Sequence, residues 1–311
     1  MTPVDLSKLR RTSLAARKSK VSFRGFARPV EKGASFARFL DGLPGYLAAG
    51  DLRSLVDAVV KARRGKRTVL LGIGAHFIKV GLSPLLIQAL ERGLFDGVAM
   101  NGAGVIHETE LALAGKTSED VGEQLRDGSF GMARETAQFV HAALAAGVRD
   151  GLGFGASVGR AIADSKARYR DRSLLATAWK LGVPVTCHVC IGTDIVHMHP
   201  EADGAVMGEA SLRDFHTFTE LVCRMDRGVY LNVGSAVILP EVFLKAVSIA
   251  RNLGHPLEGM TTANFDFLRH YRPDVNVVSR PVAPTGKGYH MVGPHEILFP
   301  LFLSAVAERL W

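Results

Sequence analysis

The stretch that decides the fold runs from residue 67 to residue 104, RTVLLGIGAHFIKVGLSPLLIQALERGLFDGVAMNGAG. An apolar run at 67–74 ends in glycines, apolar residues recur at helical spacing over 82–92, and a second apolar run fills 97–102. A short apolar run before a glycine turn is typical of a buried strand. The stretch therefore predicts a strand–helix–strand unit.

The same alternation continues to the end of the chain. Strands separated by helices, each strand nearly continuous in apolar residues, favour a sheet that is covered on both faces. We therefore predict an α/β fold, a Rossmann-like and mostly parallel sheet with helices on both faces. The further predicted strands are 183–190, 229–233, 259–264 and 275–278, and the further predicted helices are two short ones in 36–61 broken at Pro44 and Gly50, then 108–114, 132–146, 157–164, 173–181, 211–225, 240–252 and 296–310.

Bulk composition places the chain among ordinary globular proteins. Its 311 residues are 47% hydrophobic and 22% charged, which is enough to bury a large core. The net charge of +8 is concentrated in residues 1–32, which carry nine Lys or Arg against two acids. We expect a basic arm over 1–32 and one domain over 33–311. The arm is either a transit peptide, a phosphate-binding arm, or a segment that is mobile or packs on a partner subunit. A nearly neutral body indicates no nucleic-acid partner.

Cysteine usage and hydropathy set the expected compartment. Three cysteines do not form a disulfide framework, and no apolar run reaches the ~18 residues that a membrane span needs. We expect a cytoplasmic protein without a membrane partner.

Glycine turns follow three predicted strands, at 72–76 (GIGAH), 101–104 (NGAG) and 234–236 (GSA). Small residues let the backbone approach a ligand closely, and ligands of open α/β sheets bind outside the carboxyl ends of the strands. The dinucleotide fingerprint GxGxxG is absent, because Phe77 stands at its third glycine, and no Walker A sequence occurs. The turns still predict a cofactor or substrate crevice.

A burst of titratable residues, PVTCHVCIGTDIVHMHPEADG at 184–204, follows another predicted strand. His197 and His199 have the i, i+2 spacing of many metal sites, and His188 lies close by in sequence. One hypothesis is therefore a metal-dependent enzyme that binds zinc or manganese through His188, His197 and His199.

Short blocks in a fixed order cover nearly the whole chain after the arm. They are RGF at 24–26, LGIGAHFIKVGL at 71–82, NGAGV at 101–105, PVT at 184–186, TD at 193–194, LNVGSAV at 231–237, TANFD at 262–266, RPD at 272–274 and LFPL at 298–301. In these blocks the chain resembles deoxyhypusine synthase and the related homospermidine synthases.

The resemblance implies a homotetramer with a Rossmann-like parallel sheet and with NAD and polyamine sites at a subunit interface. In that family NAD oxidises spermidine, an aminobutyl group passes to an enzyme lysine, and an acceptor amine then receives it. The residues that the resemblance assigns to NAD binding are Gly74, Ala75, His76, Asn101, Gly102, Ala103, Gly104, Asp194, Gly234, Ser235, Thr262 and Ala263.

The chain departs from the family at the centre of its chemistry. Val282 stands at the position of the nucleophilic lysine, Arg280 at that of a tryptophan that flanks the polyamine, and Glu241 at that of a substrate-site histidine. Pro294 replaces an aspartate. Lys287 is a candidate replacement for the nucleophile.

We therefore predict an NAD-dependent transferase or oxidoreductase that acts on an amine-containing, polyamine-like small molecule. Carboxylates at Glu241, Asp266 and Asp274 are the expected amine ligands, and His197 or His188 is expected to move the proton. The metal-dependent enzyme and a catalytically inactive paralogue of deoxyhypusine synthase are the alternatives.

Overall fold

Six parallel strands form one sheet in the computed structural model, which describes residues 2–311. The strands are β1 Val69–Ile73, β2 Gly97–Asn101, β3 Val185–His188, β4 Val229–Val233, β5 Thr261–Asp266 and β6 Lys287–Val292. Their order across the sheet is β3-β2-β1-β4-β5-β6. The chain thus builds outward from β1 in one direction and then returns to build from β4 in the other, which makes the border between β1 and β4 the switch point of the topology.

Helices connect the strands and cover both faces of the sheet. One helix, α1 Phe36–Gly42, precedes them in the first fifty residues, and the others are α2 Leu47–Arg64, α3 Ala75–Lys79, α4 Ser83–Glu91, α5 Gly102–Ala114, α6 Val121–Gln124, α7 Arg134–Arg149, α8 Phe154–Asp164, α9 Leu174–Leu181, α10 Gly204–Cys223, α11 Ile238–Asn252, α12 Tyr271–Pro273 and α13 His295–Leu310. Single 3-10 turns occupy Leu6–Lys8, Phe23–Gly25, Arg170–Arg172 and Ile195–Met198, and a π-helix follows α12 over Asp274–Ser279. The predicted α/β fold is confirmed.

Aromatic packing shows how the two faces of the sheet are filled. Tyr230 of β4 stacks on Phe243 of α11 with ring centroids 3.9 Å apart. Phe265 of β5 meets Phe302 of α13 edge-on at 5.4 Å. Paired residues of neighbouring parallel strands point their side chains to the same face of the sheet, and Tyr230 pairs with Thr262. Thr262 and Phe265 are three positions apart in β5, so their side chains point to opposite faces. Tyr230 and Phe265 therefore also point to opposite faces. Helices α11 and α13 therefore cover opposite faces.

Contacts between Cα atoms divide the chain into two compact units, one that ends at Gly50 and one over Asp51–Trp311. In the first unit the Tyr46 hydroxyl donates to the Ser22 carbonyl and accepts from the Ser22 amide, both at 2.7 Å. The second unit contains the entire sheet. An arm over 1–32 stays a prediction. None of the helices within residues 2–311 combines the length and the apolar character that crossing a membrane requires.

Two element predictions were wrong near the C-terminus. Residues 275–278 were predicted as a strand, but they lie in the π-helix, and the sixth strand is β6. Strand β6 lies at the sheet edge and pairs only with β5, so its burial alternates and Lys287 stays exposed. An alternating, partly polar strand gives a weaker apolar signal than VNVV at 275–278, which misled the prediction.

Helix starts were also misplaced where polar caps decide them. Helix α10 begins seven residues before the predicted start, because Asp203 accepts hydrogen bonds from the amides of Ala205 and Val206 at 2.8 and 3.2 Å. Helix α5 begins at Gly102, where Asn101 caps the amide of Gly104. Gly50 does not break its helix and lies inside α2.

Candidate functional site

The switch point is formed by two glycine turns in direct contact. The Gly74 amide donates to the Val233 carbonyl at 2.8 Å, and a Cβ atom on Gly74 would lie 2.0 Å from the Gly234 oxygen. Gly234 adopts φ +71°, a left-handed conformation that side chains disfavour. Only glycine at both positions lets the turns after β1 and β4 touch, so the crevice is bounded here by backbone.

Three rings from separate segments surround this contact. His76 lies 5.2 Å from Phe267 and 5.7 Å from His295, and Phe267 lies 4.7 Å from His295, all between ring centroids. The buried His295 Nε2 contacts the Phe265 carbonyl at 3.2 Å, and a carbonyl only accepts, so Nε2 carries the hydrogen. Nδ1 is buried without a partner, and burial lowers the pKa of His295. The neutral ring thus leaves an unpaired acceptor beside the switch point.

The start of α5 is already occupied by a carboxylate of the chain itself. Asp194 accepts a hydrogen bond from the Ala103 amide, and its Oδ2 lies 2.1 Å from where a Cβ on Gly102 would stand. Burial raises the pKa of Asp194. A helix N-terminus attracts anions, and here Asp194 supplies the anion.

A pocket of about 220 Å³, which we name the α5 pocket, opens beside this helix start. Its walls come from the end of α3, from one face of α5, from residues 118–130 and from the turn at 193–195. The titratable side chains on its walls are Lys79, His107, Glu110, Glu119 and Asp194. The α5 pocket is therefore a small concave site in which apolar side chains and convergent polar groups lie together, the combination on which small-molecule sites depend.

Beside the α5 pocket, a chain of hydrogen bonds joins two of its wall residues, a carboxylate and an imidazole, through a threonine. The Thr117 hydroxyl donates to Glu110 and lies 2.7 Å from His107 Nδ1. Thr136 also donates to Glu110, at 3.2 Å. Burial, aided by the charge of Lys79, lowers the pKa of His107 to about 4. His107 is therefore neutral at physiological pH.

Comparison with solved structures identifies this architecture. A protein from Entamoeba histolytica assigned as a deoxyhypusine synthase superposes with a TM-score of 0.56 over 91% of this chain and 97% of its own, at 10% sequence identity. This chain and that protein therefore share a fold. A scan against protein-family models and a search of the curated proteins return no match.

Two other structures share the fold. A conserved LOR/SDH protein from Methanococcus maripaludis S2 superposes with a TM-score of 0.53 at 12% identity, over 85% of this chain and 70% of its own. Unliganded AgrE superposes with a TM-score of 0.52 at 13% identity, over 83% of this chain. The chain spans only about a third of AgrE, 32%.

Most of the residues expected to bind NAD lie at the carboxyl ends of the strands. Gly74, Ala75 and His76 follow β1, Asn101 ends β2, and residues 102–104 open α5. Gly234 and Ser235 follow β4, and Ser235 Oγ accepts from the Leu239 amide at 3.2 Å. The structure brings these turns together with Asp194.

Thr262 and Ala263 do not reach those ends. They are the second and third residues of β5, fully buried, and the Thr262 hydroxyl donates to the Val277 carbonyl at 2.7 Å. Thr262 lies four residues before Asp266, about 13 Å along the strand at 3.3 Å per residue. Their side chains serve the core.

Lys287 lies at the opposite ends of the strands, the amino ends. It is the first residue of β6, pairs with Thr261, and rests its ammonium 4.8 Å from the Tyr289 ring centroid. A lysine at the amino ends of the strands does not share a crevice with turns at their carboxyl ends. Val282, at the position of the family's lysine, is buried.

The three histidines of the metal hypothesis have separate partners. His188 Nε2 contacts the Thr186 hydroxyl at 3.0 Å, and burial lowers the pKa of His188 to about 4. His199 Nε2 contacts the Gly131 carbonyl at 2.8 Å. Within residues 2–311 no three His, Cys, Asp or Glu side chains are arranged to hold a metal ion. The metal centre predicted as an alternative is not assembled.

His197 is held as a hydrogen-bond donor. Its Nδ1 accepts from the amides of Gly192 and Asp194 at 3.1 and 3.2 Å, so the hydrogen of the neutral ring is on Nε2. Nε2 is buried without a partner, 4.0 Å from Asp194 Oδ2, and burial lowers the pKa of His197. In this tautomer the Nε2 hydrogen is on the side of Asp194, and Nδ1, which already accepts two hydrogen bonds, is not available to take a proton.

The three carboxylates expected to hold an amine are separated and mostly paired. Glu241 binds Lys245, and its pKa is lowered mainly by that hydrogen bond; it also meets Arg272 at 3.3 Å. Asp274 meets His290 at 2.7 Å. Asp266 ends β5 almost buried and accepts from the Phe267 amide at 2.8 Å. Of the three, only Asp266 borders the ring cluster.

Sequence reasoning missed the principal side chains of the α5 pocket. Lys79, Glu110 and Glu119 on its walls were not singled out, and neither was Thr117 beside it. The available signal was the spacing of Ala103, His107 and Glu110, which places them on one face of α5. Four residues of the largely exposed segment 115–130 form one wall of the α5 pocket.

A second cleft, of about 440 Å³, lies at the amino end of β3 and is mainly apolar. Its single carboxylate, Asp214, accepts from the amides of Cys187 and Gly155 at 2.7 and 2.8 Å. Burial raises the pKa of Asp214 to about 7. Asp214 ties β3 to the start of α8 and is a structural residue.

Proposed function

We propose that this protein is an NAD-dependent transferase or oxidoreductase that acts on an amine-containing small molecule. The observation that carries the proposal is the reversal of strand order between β1 and β4, with the turns of Gly74 and Gly234 in contact at that point. Dinucleotides bind at such switch points in sheets of this strand order.

The residues at the switch point fit a dinucleotide in three respects. Backbone bounds the crevice where the two glycine turns meet. The rings of His76 and Phe267 are exposed and present flat surfaces to a planar ligand. Two buried acceptors, His295 Nδ1 and Asn232 Oδ1, have no partner. Unpaired buried polar atoms cost stability, so a ligand that donates to them is favoured.

Gly74, Ala75, His76, Gly234 and Ser235 are the residues that would hold NAD. The start of α5, with Asn101 to Gly104, would border the cofactor, but its anion-binding position is taken by Asp194. Bound NAD would supply a hydride acceptor for the carbon that carries the amine. We do not include Thr262 and Ala263, since both are buried inside β5.

The missing nucleophile limits the reaction. A buried valine forms no covalent bond to a substrate, and Lys287 is at the amino ends of the strands. The reaction we propose is therefore either oxidation of the amine or direct transfer to a free acceptor, without an enzyme-bound intermediate. A homotetramer and a cytoplasmic location are part of the same proposal.

Fold relatives support the cofactor and the substrate class. AgrE has been described in a ternary complex with ornithine and NAD+, at a TM-score of 0.50 and 13% identity to this chain. The Entamoeba protein is assigned as a deoxyhypusine synthase. Both likenesses are at the level of the fold.

The test is a titration of the purified protein with NAD, followed by its melting temperature and by calorimetry. Binding linked to folding should raise the melting temperature in a saturable way. Replacing His76 by Ala should weaken NAD binding about two- to tenfold, the equivalent of 0.5–1.5 kcal/mol of ring contact. His255→Ala, an exposed histidine in the loop that leads into β5, is the matched control and should change nothing.

Each outcome has a defined meaning. Absence of any NAD effect on the wild-type protein would refute the cofactor assignment. NAD binding without turnover of any amine would favour the inactive paralogue. If NAD binding is weakened equally in His76→Ala and His255→Ala, NAD does not bind at the switch point.

A further inference from the structure

We infer that the α5 pocket is the substrate site and that it takes an amine that also carries a carboxylate, as amino acids do, with Lys79 pairing the carboxylate and His107 Nε2 accepting from the amine. This inference rests on the proposed function and narrows its substrate class. A polyamine has no group for Lys79.

The first observation is the state of the charged groups on the pocket wall. Each carboxylate there already has donors: Glu110 receives hydrogen bonds from two threonines, Glu119 receives one from the Gly131 amide at 3.0 Å, and Asp194 receives one from the Ala103 amide. Donors of the chain itself therefore hold each of these acids in a fixed orientation on the pocket wall.

Lys79 is in the opposite situation. It is exposed at the end of α3, lines the pocket, and acts electrostatically on His107. Among residues 2–311 no carboxylate lies within 4.0 Å of its ammonium. The pocket therefore presents an unpaired cation, which repels a second cation and attracts a carboxylate.

The second observation fixes the tautomer of His107. The Thr117 hydroxyl has one hydrogen, and it is donated to Glu110, which as a carboxylate only accepts. The 2.7 Å contact between Thr117 and His107 Nδ1 then requires Nδ1 to be the donor. In a neutral imidazole with its hydrogen on Nδ1, Nε2 carries a free lone pair.

No hydrogen-bond partner engages Nε2 of His107 within residues 2–311, and the atom is not sealed in the core. An acceptor on one wall and a cation on the end of the neighbouring helix complement a ligand with one ammonium and one carboxylate. Pairing of Lys79 by the ligand's carboxylate also cancels the positive charge that would repel the ligand's ammonium. The site thereby gains affinity for the ammonium when the carboxylate binds.

The experiment uses pairs of ligands that differ only by a carboxylate, measured by calorimetry without NAD. The pairs are 4-aminobutyrate and propylamine, ornithine and putrescine, and lysine and cadaverine. We expect the wild-type protein to bind the carboxylated member of at least one pair about tenfold more tightly, a typical value for one charge-assisted contact. Lys79→Met should abolish this preference, and Lys61→Met, an exposed lysine of α2, should retain it.

A second measurement tests His107 independently of affinity. The ¹⁵N shifts of its ring, assigned by comparison with His107→Gln, should show hydrogen on Nδ1 at pH 7. Thr117→Val removes the acceptor of that hydrogen and should shift the ring towards the other tautomer. His107→Gln should weaken all amine ligands alike and leave the carboxylate preference unchanged.

Three results overturn the inference: no binding of any carboxylated ligand, a preference for the polyamine member, or a carboxylate preference that survives in Lys79→Met. None depends on NAD. If the protein binds NAD and fails these tests, the substrate assignment alone is wrong. If it passes them and NAD does not bind, the cofactor assignment is wrong and the pocket stands.

Discussion

Replacing Gly74 by Ala tests whether the two turns at the switch point touch. The added Cβ would lie 2.0 Å from the Gly234 oxygen, and Cβ atoms are essentially never seen within 3.0 Å, so the turns must separate by 1.0 Å or more. That movement breaks the 2.8 Å hydrogen bond between the Gly74 amide and the Val233 carbonyl. Its loss costs about 1 kcal/mol, and overpacking costs about 1–3 kcal/mol more.

We therefore expect Gly74→Ala to lower the free energy of unfolding by about 2–4 kcal/mol, measured by urea denaturation. Gly208→Ala is the matched control. Nothing lies within 4 Å of its added Cβ, and Gly208 is inside α10, so this change should stabilise by about 0.5–1 kcal/mol. The two substitutions are chemically identical and differ only in surroundings. If Gly74→Ala unfolds at the wild-type urea concentration, the contact between the turns does not exist.

Two further predictions concern buried polar groups. Because the pKa of Asp214 is raised to about 7, its contribution to stability is present below the unfolded pKa near 4 and is lost as pH rises through about 7. Urea midpoints measured from pH 5 to pH 8 should fall more steeply for the wild-type protein than for Asp214→Asn; parallel profiles would contradict the shifted pKa. Tyr230→Phe should leave stability unchanged or raise it by up to about 1 kcal/mol, because the buried hydroxyl has no partner. A clear loss of stability in that variant would show that the hydroxyl is bonded.

Prediction from sequence succeeded for strands whose residue pattern alone is characteristic of a buried strand. Strand β4 was predicted with its observed bounds, and β1, β2 and β3 were found within a few residues, because each is a short run of buried apolar residues. It failed at β6, whose pattern is alternating, and at 275–278, where β-branched residues lie in a π-helix. In both places neighbouring elements outweigh local preference.

The candidate site shows the same division. Glycine turns after β1, β2 and β4 could be recognised as ligand-facing because parallel strands end at one edge of the sheet. The separation of Lys287 from that edge, and the position of Thr262 inside β5, depend on strand register. The Glu110–Thr117–His107 chain depends on how residues 115–131 fold back on α5, which no local pattern encodes.

The sequence by itself determined that the chain forms a parallel α/β sheet and where glycine lets backbone approach a ligand, since periodicity and backbone freedom are local properties. Only the tertiary structure decided the strand order, the contact between Gly74 and Gly234, and which titratable groups are left without a partner. Those features arise from contacts between residues far apart in the chain. For Lys79 and Glu241 it is these contacts, and not residue type, that decide whether a charge is free to bind a ligand.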